Sequence, residues 1–559
     1  MALVQKAQRQ GLIVANTSNV KEMKNGRPMN VEIPAASADQ LANCMIVELL
    51  AVKDAKENDH VYTTKVLTSK TEIDAELLPQ LPDSENIAVE EEKVEMLKAS
   101  SEKDVYAEGI AGCGLPGFFI GNFSVYRQSG NNPFKISFMH EGASGYARNA
   151  LTAGYFDRNT EISAEKTFTT NTMKFYMAGS YETLADGMQN KVENISDVTK
   201  EIMSASFLYD WKLPKGFGIN SKIEGDWYKR FACVVGEPVT PILDYDKDIS
   251  TLEFVPQLGF SWEYKGFYTN LGGKYSLFNN LNNSFVERDI INRGDFSLSL
   301  GWKHDFINVY GNANVVVGNE IGNESALFPF TVGADFSFVT GLSSRNMNIS
   351  LSGGLDSYSL SAKDLELAYK FTALSFMPSE TTDWYGKLVL GIPVKEMFTI
   401  NFDGVFKMTA FDNGTWQPNY NSESALYGQY AFEQKDMIQV NTTTSVSFRV
   451  GIATISALWK ACWGDVAALN YQNYIGAVVS VQDENSRFGI DASFGMPTDS
   501  NADIIPIIDM SAFFRLTQAV RLAVSVEDIV KLISGDSRTY AGDYIDRSGS
   551  AAILVKFFF

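Results

Sequence analysis

From Asp104 to the end of the chain, apolar and polar residues alternate with a period of two, and this pattern limits the fold more than any other feature. In MFTINFDGVFKMTAF, Phe398, Ile400, Phe402, Phe406 and Met408 fall on one face, while Thr399, Asn401, Asp403, Lys407 and Thr409 fall on the other. MIQVNTTTSVSFRV repeats it, with Ile438, Val440, Val446, Phe448 and Val450 opposed to Gln439, Asn441, Ser445, Ser447 and Arg449. A period of two means extended backbone with one apolar and one polar side. The runs extend over about 10 to 15 residues, against roughly 5 to 6 in soluble sheets, and a tilted strand crosses a bilayer in about 9 to 11.

The connections sort into two kinds that alternate along the chain. KG at 265, TT at 169, VKE at 394 and QDEN at 482 are tight turns. Between them stand long polar segments, such as SAKDLELAYKFTALSFMPSETTD from Ser361, DNGTWQPNYNSESALYGQYAFEQ from Asp412 and EDIVKLISGDSRTYAGDYIDRSG from Glu527. Short turns at one end and long loops at the other suit a closed antiparallel barrel, and the runs count to about 22 strands, an even number. The expected fold is therefore all-β: a large antiparallel transmembrane β-barrel over 104–559, with a mostly irregular N-terminal extension over 1–103. In that extension SADQLANCMIVELLAVKDAKEND (37–59) predicts a short amphipathic helix, and the acidic, proline-containing stretch after it predicts an extended arm.

Aromatic residues gather near strand ends, among them Tyr126, Trp262, Tyr264, Trp302, Trp384, Tyr385, Trp459 and Trp463. Such rings suit the girdles at membrane interfaces, where one edge is apolar and the other wet; ordinary strand-end packing is the plainer reading for any one of them. The formal net charge of −20 and the lack of a Lys/Arg cluster exclude nucleic acid as a partner. The four cysteines have no CxxC spacing, and no apolar run reaches the length of a spanning helix.

The chain closes on GSAAILVKFFF, in which Ile553, Val555, Phe557 and Phe559 share one face. With the strand count and LPGFFIGNFSVYRQSGNNPFKISFMHEGASG near the first strand, this resembles the barrel of TonB-dependent receptors, whose last strand alternates and ends in Phe. The resemblance implies a bacterial outer-membrane location, lipid and the barrel-assembly machinery as partners, and passage of a small solute. It also implies that Ile553, Val555, Phe557 and Phe559 form the C-terminal signal read during insertion. Residues 1–103 show neither the plug domain of that family nor its TonB box, so they name no energising periplasmic partner. A surface adhesion protein that binds ligands through long loops is the alternative reading.

Candidate chemistry is sparse. In GCGLPG, Gly112, Gly114 and Gly117 match GxGxxG, but the strand-like FFIGNFSVY follows where a phosphate-binding helix is needed, so a tight turn is the reading. Asp244, Asp246 and Asp248 have alternate spacing without the Gly and Glu of an EF-hand; an acidic surface loop is the ordinary reading and a weak divalent site the sharper one. His60, His140 and His304 stand apart, and neither GxSxG nor HExxH occurs, so no enzyme activity and no cofactor are expected. The polar face supplies the candidate lumen lining: Asn401, Asp403, Lys407, Gln439, Asn441, Arg449, Arg487, Asp491, Arg515 and Arg521, which could select solutes by charge or simply bond across the wall.

Overall fold

The computed structural model describes residues 51–52, 61–62 and 105–559, apart from 128–131, 146–148, 150–152, 193–194, 235–247, 282–289, 320–325, 341–342, 344, 375–377, 396, 421–427, 484–485, 499–504 and 548. The period-two segments form one closed antiparallel barrel of 22 strands. In chain order these are β1 (Tyr106–Leu115), β2 (Phe118–Arg127), β3 (Phe134–Ser144), β4 (Phe156–Thr169), β5 (Met173–Gly187), β6 (Ile195–Lys212), β7 (Phe217–Val234) and β8 (Ile249–Tyr264). There follow β9 (Phe267–Asn280), β10 (Ile290–His304), β11 (Ile307–Gly318), β12 (Ala326–Leu327 and Phe330–Val339), β13 (Asn346–Tyr358), β14 (Thr381–Val394) and β15 (Phe398–Thr409). The wall is completed by β16 (Ile438–Val450), β17 (Ala453–Gly464), β18 (Asn473–Gln482), β19 (Phe488–Pro497), β20 (Ile507–Arg515), β21 (Val520–Glu527) and β22 (Ser550–Phe558). β12 is broken at 328–329 because Pro329 has no N–H for the ladder, yet both pieces pair with β11.

Exposure alternates along these strands as the sequence pattern requires. Leu271, Phe296, Leu298, Leu300, Val332, Leu351 and Ile553 are all exposed on the outer face. A soluble protein does not display such a continuous apolar band, so the surface that solvates it is lipid, and the strands themselves make the crossing. Among the described residues no helix is long and apolar enough to cross a membrane. At the short-turn end the outer rings group as expected: Trp262 stacks on Tyr264 with centroids 6.1 Å apart, and Trp302 lies 6.4 Å from Phe267. Tyr126 and Tyr385 do not belong to this girdle. Tyr126 stacks inward on Tyr106 and Tyr385 bonds Thr331 at 2.6 Å, because each falls on the inward phase of its strand.

Turn chemistry sets the polarity of the barrel. Between β8 and β9, Lys265 and Gly266 both have positive φ (50° and 83°), the two-residue turn whose twist matches the flanking strands. The GxGxxG segment completes β1 through Leu115, and its last two residues, Pro116 and Gly117 (φ 54°), make the hairpin turn into β2. The seam joins β22 to β1 from Ala551↔Leu115 to Phe558↔Glu108, and Phe559 exchanges backbone hydrogen bonds with Ala107 at 2.8 and 3.2 Å. Strands approach so closely there that a Cβ on Gly114 would lie 1.8 Å from the Ala551 carbonyl oxygen. Ile553 and Phe559 face outward, and the Phe557 and Phe559 rings stack 6.4 Å apart. The last aromatic thus continues the outer face of the closing strand.

Two expectations are corrected or fall outside the described residues. Where a helix over 37–59 was expected, Ala51–Val52 is extended and pairs antiparallel with Val61–Tyr62, as β-branched and aromatic residues favour; the remainder of that segment lies outside the described residues. Asp244 and Asp246 also lie outside them, while Asp248 immediately precedes β8.

Candidate functional site

The long loops turn back into the mouth of the barrel. After β13, Ser361 caps a short helix, α1 (Ala362–Ala368), through a reciprocal capping box with Asp364. One side of α1 is apolar: Ala362, Leu365 and Ala368 pack with Leu360, Tyr369, Leu374 and Ile249, and with Trp416 and Phe432 from the loop after β15. At the edge of that face, one turn after Ala362, is Glu366, which is 0% exposed.

Glu366 meets three groups whose side chains occupy inward positions of the wall. Its carboxylate pairs with the Arg230 guanidinium of β7 and accepts the Tyr228 hydroxyl at 2.5 Å and the Leu374 amide at 2.8 Å. Its backbone carbonyl accepts Lys200 Nζ of β6 at 2.7 Å. Arg230, Tyr228 and Lys200 are themselves 0%, 1% and 3% exposed. Around this centre Lys363 reaches Asp226 at 2.7 Å, and Lys370 reaches Asp186 at 3.0 Å and Asp157 at 3.5 Å. Burial disfavours the Lys363 ammonium, but the carboxylates of Asp364, Asp226 and Glu253 outweigh it and hold its pKa above the ordinary lysine value. At the far end of the same loop, Glu380 pairs with Arg293 of β10 at 2.5 Å and accepts the Ser357 hydroxyl. Burial pushes the Glu380 carboxyl up, and Arg293 and Ser357 offset only part of that.

Other loops interlock with this one. Phe371 and Ala373 exchange backbone hydrogen bonds with Tyr430 at 2.8 and 2.9 Å. The loop before β22 holds α2 (Ile529–Ser534) and a small hairpin, Thr539–Ala541 with Tyr544–Ile545. From it Tyr544 stacks on Phe371 with centroids 4.0 Å apart and donates to the Gly428 carbonyl at 2.8 Å. Tyr540 accepts the Lys370 amide at 2.9 Å, and Arg547 reaches Glu141 and Asp157 on the wall, each at 3.6 Å. Together these segments form a lid whose apolar interior and charged rim are both attached to the wall.

The candidate lining residues keep their expected phase with one exception. Asn401 donates to Ser445 at 3.4 Å, Asp403 lies 3.9 Å from Lys387, and Lys407 sits over the Tyr358 ring at 5.9 Å. Gln439, Asn441 and Arg449 share the inward phase of β16; Gln439 is buried. Asp491 accepts Ser480 at 2.5 Å, and Arg521 stacks over Phe513 at 4.4 Å, in register with Arg515 on β20. Arg487 is the exception. It is exposed in the tight turn before β19, where its carbonyl accepts the Arg515 amide at 2.7 Å, because β19 begins at Phe488 and not two residues earlier. Among the described residues no group of three His, Cys, Asp or Glu side chains could hold a metal ion. Among the described residues, Cys113, Cys233 and Cys462 form no disulfide.

No protein-family model matches the chain, and neither does any curated protein sequence. Solved structures do. The FrpB iron transporter from Neisseria meningitidis (F5-1 variant) aligns with a TM-score of 0.60 and 9% identity, covering 82% of this chain and 83% of its own. A mutant of the ferric enterobactin receptor PfeA from Pseudomonas aeruginosa aligns with a TM-score of 0.59 and 8% identity over 82% and 80%. The copper transporter OprC aligns with a TM-score of 0.58 and 10% identity over 81% and 82%. The fold is that of the TonB-dependent-receptor barrel. At these identities the likeness is one of architecture, and the lid residues must be argued from their own geometry.

Sequence reasoning missed Glu366, Arg230, Tyr228, Lys200, Arg293 and Glu380. One local signal was present: Ser361 and Asp364 have capping-box spacing ahead of LELA, which marks a helix inside a loop. Nothing local marks Arg230, which is 136 residues from Glu366.

Proposed function

We propose that the chain is a bacterial outer-membrane transporter barrel that passes a small solute through a lumen gated at its outer mouth by its own loops. The observation that carries this reading is the lid: the longest loops are folded into the mouth and tied to inward wall residues through Glu366, Glu380 and Arg547. Loops devoted to adhesion present their side chains to the medium, whereas Leu365, Leu374, Tyr369 and Tyr544 are buried here. A 22-strand wall encloses a lumen wide enough to leak unless something fills or covers it, which gives a lid a purpose. The iron, ferric enterobactin and copper proteins that share the fold support a small solute as cargo. On this reading the long loops are extracellular, and residues 1–103 form an extension on the periplasmic side, where β1 begins.

The test is fractionation followed by electrophysiology. Carbonate-resistant membrane association, heat-modifiable migration and rare, brief channel openings in planar bilayers are the expected results. Recovery as a soluble protein sinks the barrel reading. Stable insertion without conductance, together with loop-dependent adhesion to host matrix, favours the adhesion alternative.

A further inference from the structure

An ion pair with both partners wholly buried is a costly way to fasten a loop. Desolvating two charges offsets most of their attraction, and apolar residues of similar volume usually hold as well or better. The loop has such residues beside the pair, in Leu365 and Ala368. The charges therefore serve something other than firm attachment.

Their layout shows what. Around one carboxylate the wall places a guanidinium (Arg230) and a phenol (Tyr228), with the Lys200 ammonium 2.7 Å from the carbonyl of the same residue. Arginine's fork is the side chain best matched to a carboxylate, and a hydroxyl donor completes the shell. A second anchor of the loop repeats this polarity, with the cation Arg293 on the wall and the carboxylate Glu380 on the loop, while Lys363 and Lys370 pair the opposite way with Asp226 and Asp186 on the wall. The wall carboxylate Asp186 lies 3.5 Å from Lys200 and is shared with Lys370 of the loop. Lifting the loop would remove Glu366 and Lys370 together and leave Arg230, Tyr228 and Lys200 facing the mouth.

We propose that Arg230, Tyr228 and Lys200 form the recognition site for a carboxylate-bearing anionic solute, and that Glu366 occupies this site as an internal stand-in. Solute binding and lid release are then one exchange, carboxylate for carboxylate. The inference rests on the transporter reading and names its solute class. A tethered competitor acts at a high effective concentration, so the native chain binds such a solute weakly and removal of the competitor strengthens binding.

Citrate, with sucrose as neutral control, tests this by titration calorimetry on the purified full chain in detergent. Glu366→Ala is expected to bind citrate at least tenfold more tightly than the native chain, and Glu366→Ala combined with Arg230→Gln to lose that gain, with no sucrose binding in any form. Equal citrate affinity in the native chain and Glu366→Ala overturns the proposal, as does a gain that survives Arg230→Gln. Heat-modifiable migration checks that each barrel is folded. If Glu366→Ala fails that check, replacing 361–374 with a Gly/Ser linker leaves the wall site intact and takes the same assay, with the same outcomes deciding. Absence of membrane insertion and conductance defeats the transporter reading, whereas a conducting barrel whose citrate binding ignores Arg230 defeats this inference alone.

Discussion

Leu298 and Asn312 lie on neighbouring strands, yet one meets lipid and the other the lumen. Leu298 is exposed on the outer face opposite Leu271 and Ala313; Asn312 points inward and accepts from Ser299 at 3.2 Å. Leu298→Arg, near the middle of a 15-residue strand, should therefore cost about 2 to 4 kcal/mol of barrel stability, and Asn312→Arg about 1 kcal/mol or less. Urea unfolding of the two variants in lipid vesicles measures the difference, and equal losses would refute the assigned faces. Facing was legible because the pleat has a strict period: Asn401, Asp403, Lys407 and Arg521 all fall where alternation puts them. Arg487 was misplaced because alternation assigns phase but does not say where a strand starts. Tyr126 and Tyr385 were misread as girdle residues because an amphipathic ring suits a wet lumen as well as an interface.

At the scale of elements, the strands and short turns were visible in the sequence and the lid was not. A strand declares itself through its own neighbours, whereas α1 is held by residues of β6, β7 and β8 that have no sequence relation to it. The lid's charges make its closure depend on pH, and Lys363 supplies the sign. Its pKa in the closed state is raised above 10.5, so its contribution to closure is fully present below that value and is lost as pH rises through the raised one. The part of closure that Lys363 supplies, read as the difference in closed fraction between the native chain and Lys363→Met in planar bilayers, should stay flat from about pH 7 to 10 and fall only in stronger alkali. Lys363→Met should lower the closed fraction throughout and remove the alkaline component. A fall already complete by about pH 9 would show that another group controls the lid.

For the whole molecule, the strand order gives the barrel two unlike ends. β1 begins and β22 finishes at the short-turn end, while α1, α2 and the interlocked loops occupy the other. The two ends offer two ways to block the lumen, and they can be told apart. The acidic, proline-containing stretch before Asp104 is poorly suited to forming a packed domain, whereas the lid is already packed and anchored through Arg230 and Arg293. Single-channel conductance of the purified protein should therefore change little when residues 1–103 are deleted, and should rise severalfold, with long openings, when 361–374 are replaced by a Gly/Ser linker. Both variants must first show heat-modifiable migration, so that a silent channel is not confused with an unfolded one. A full-length protein that is silent with or without the lid, but becomes a large pore on loss of 1–103, would place the barrier at the periplasmic end and make the N-terminal region a true plug.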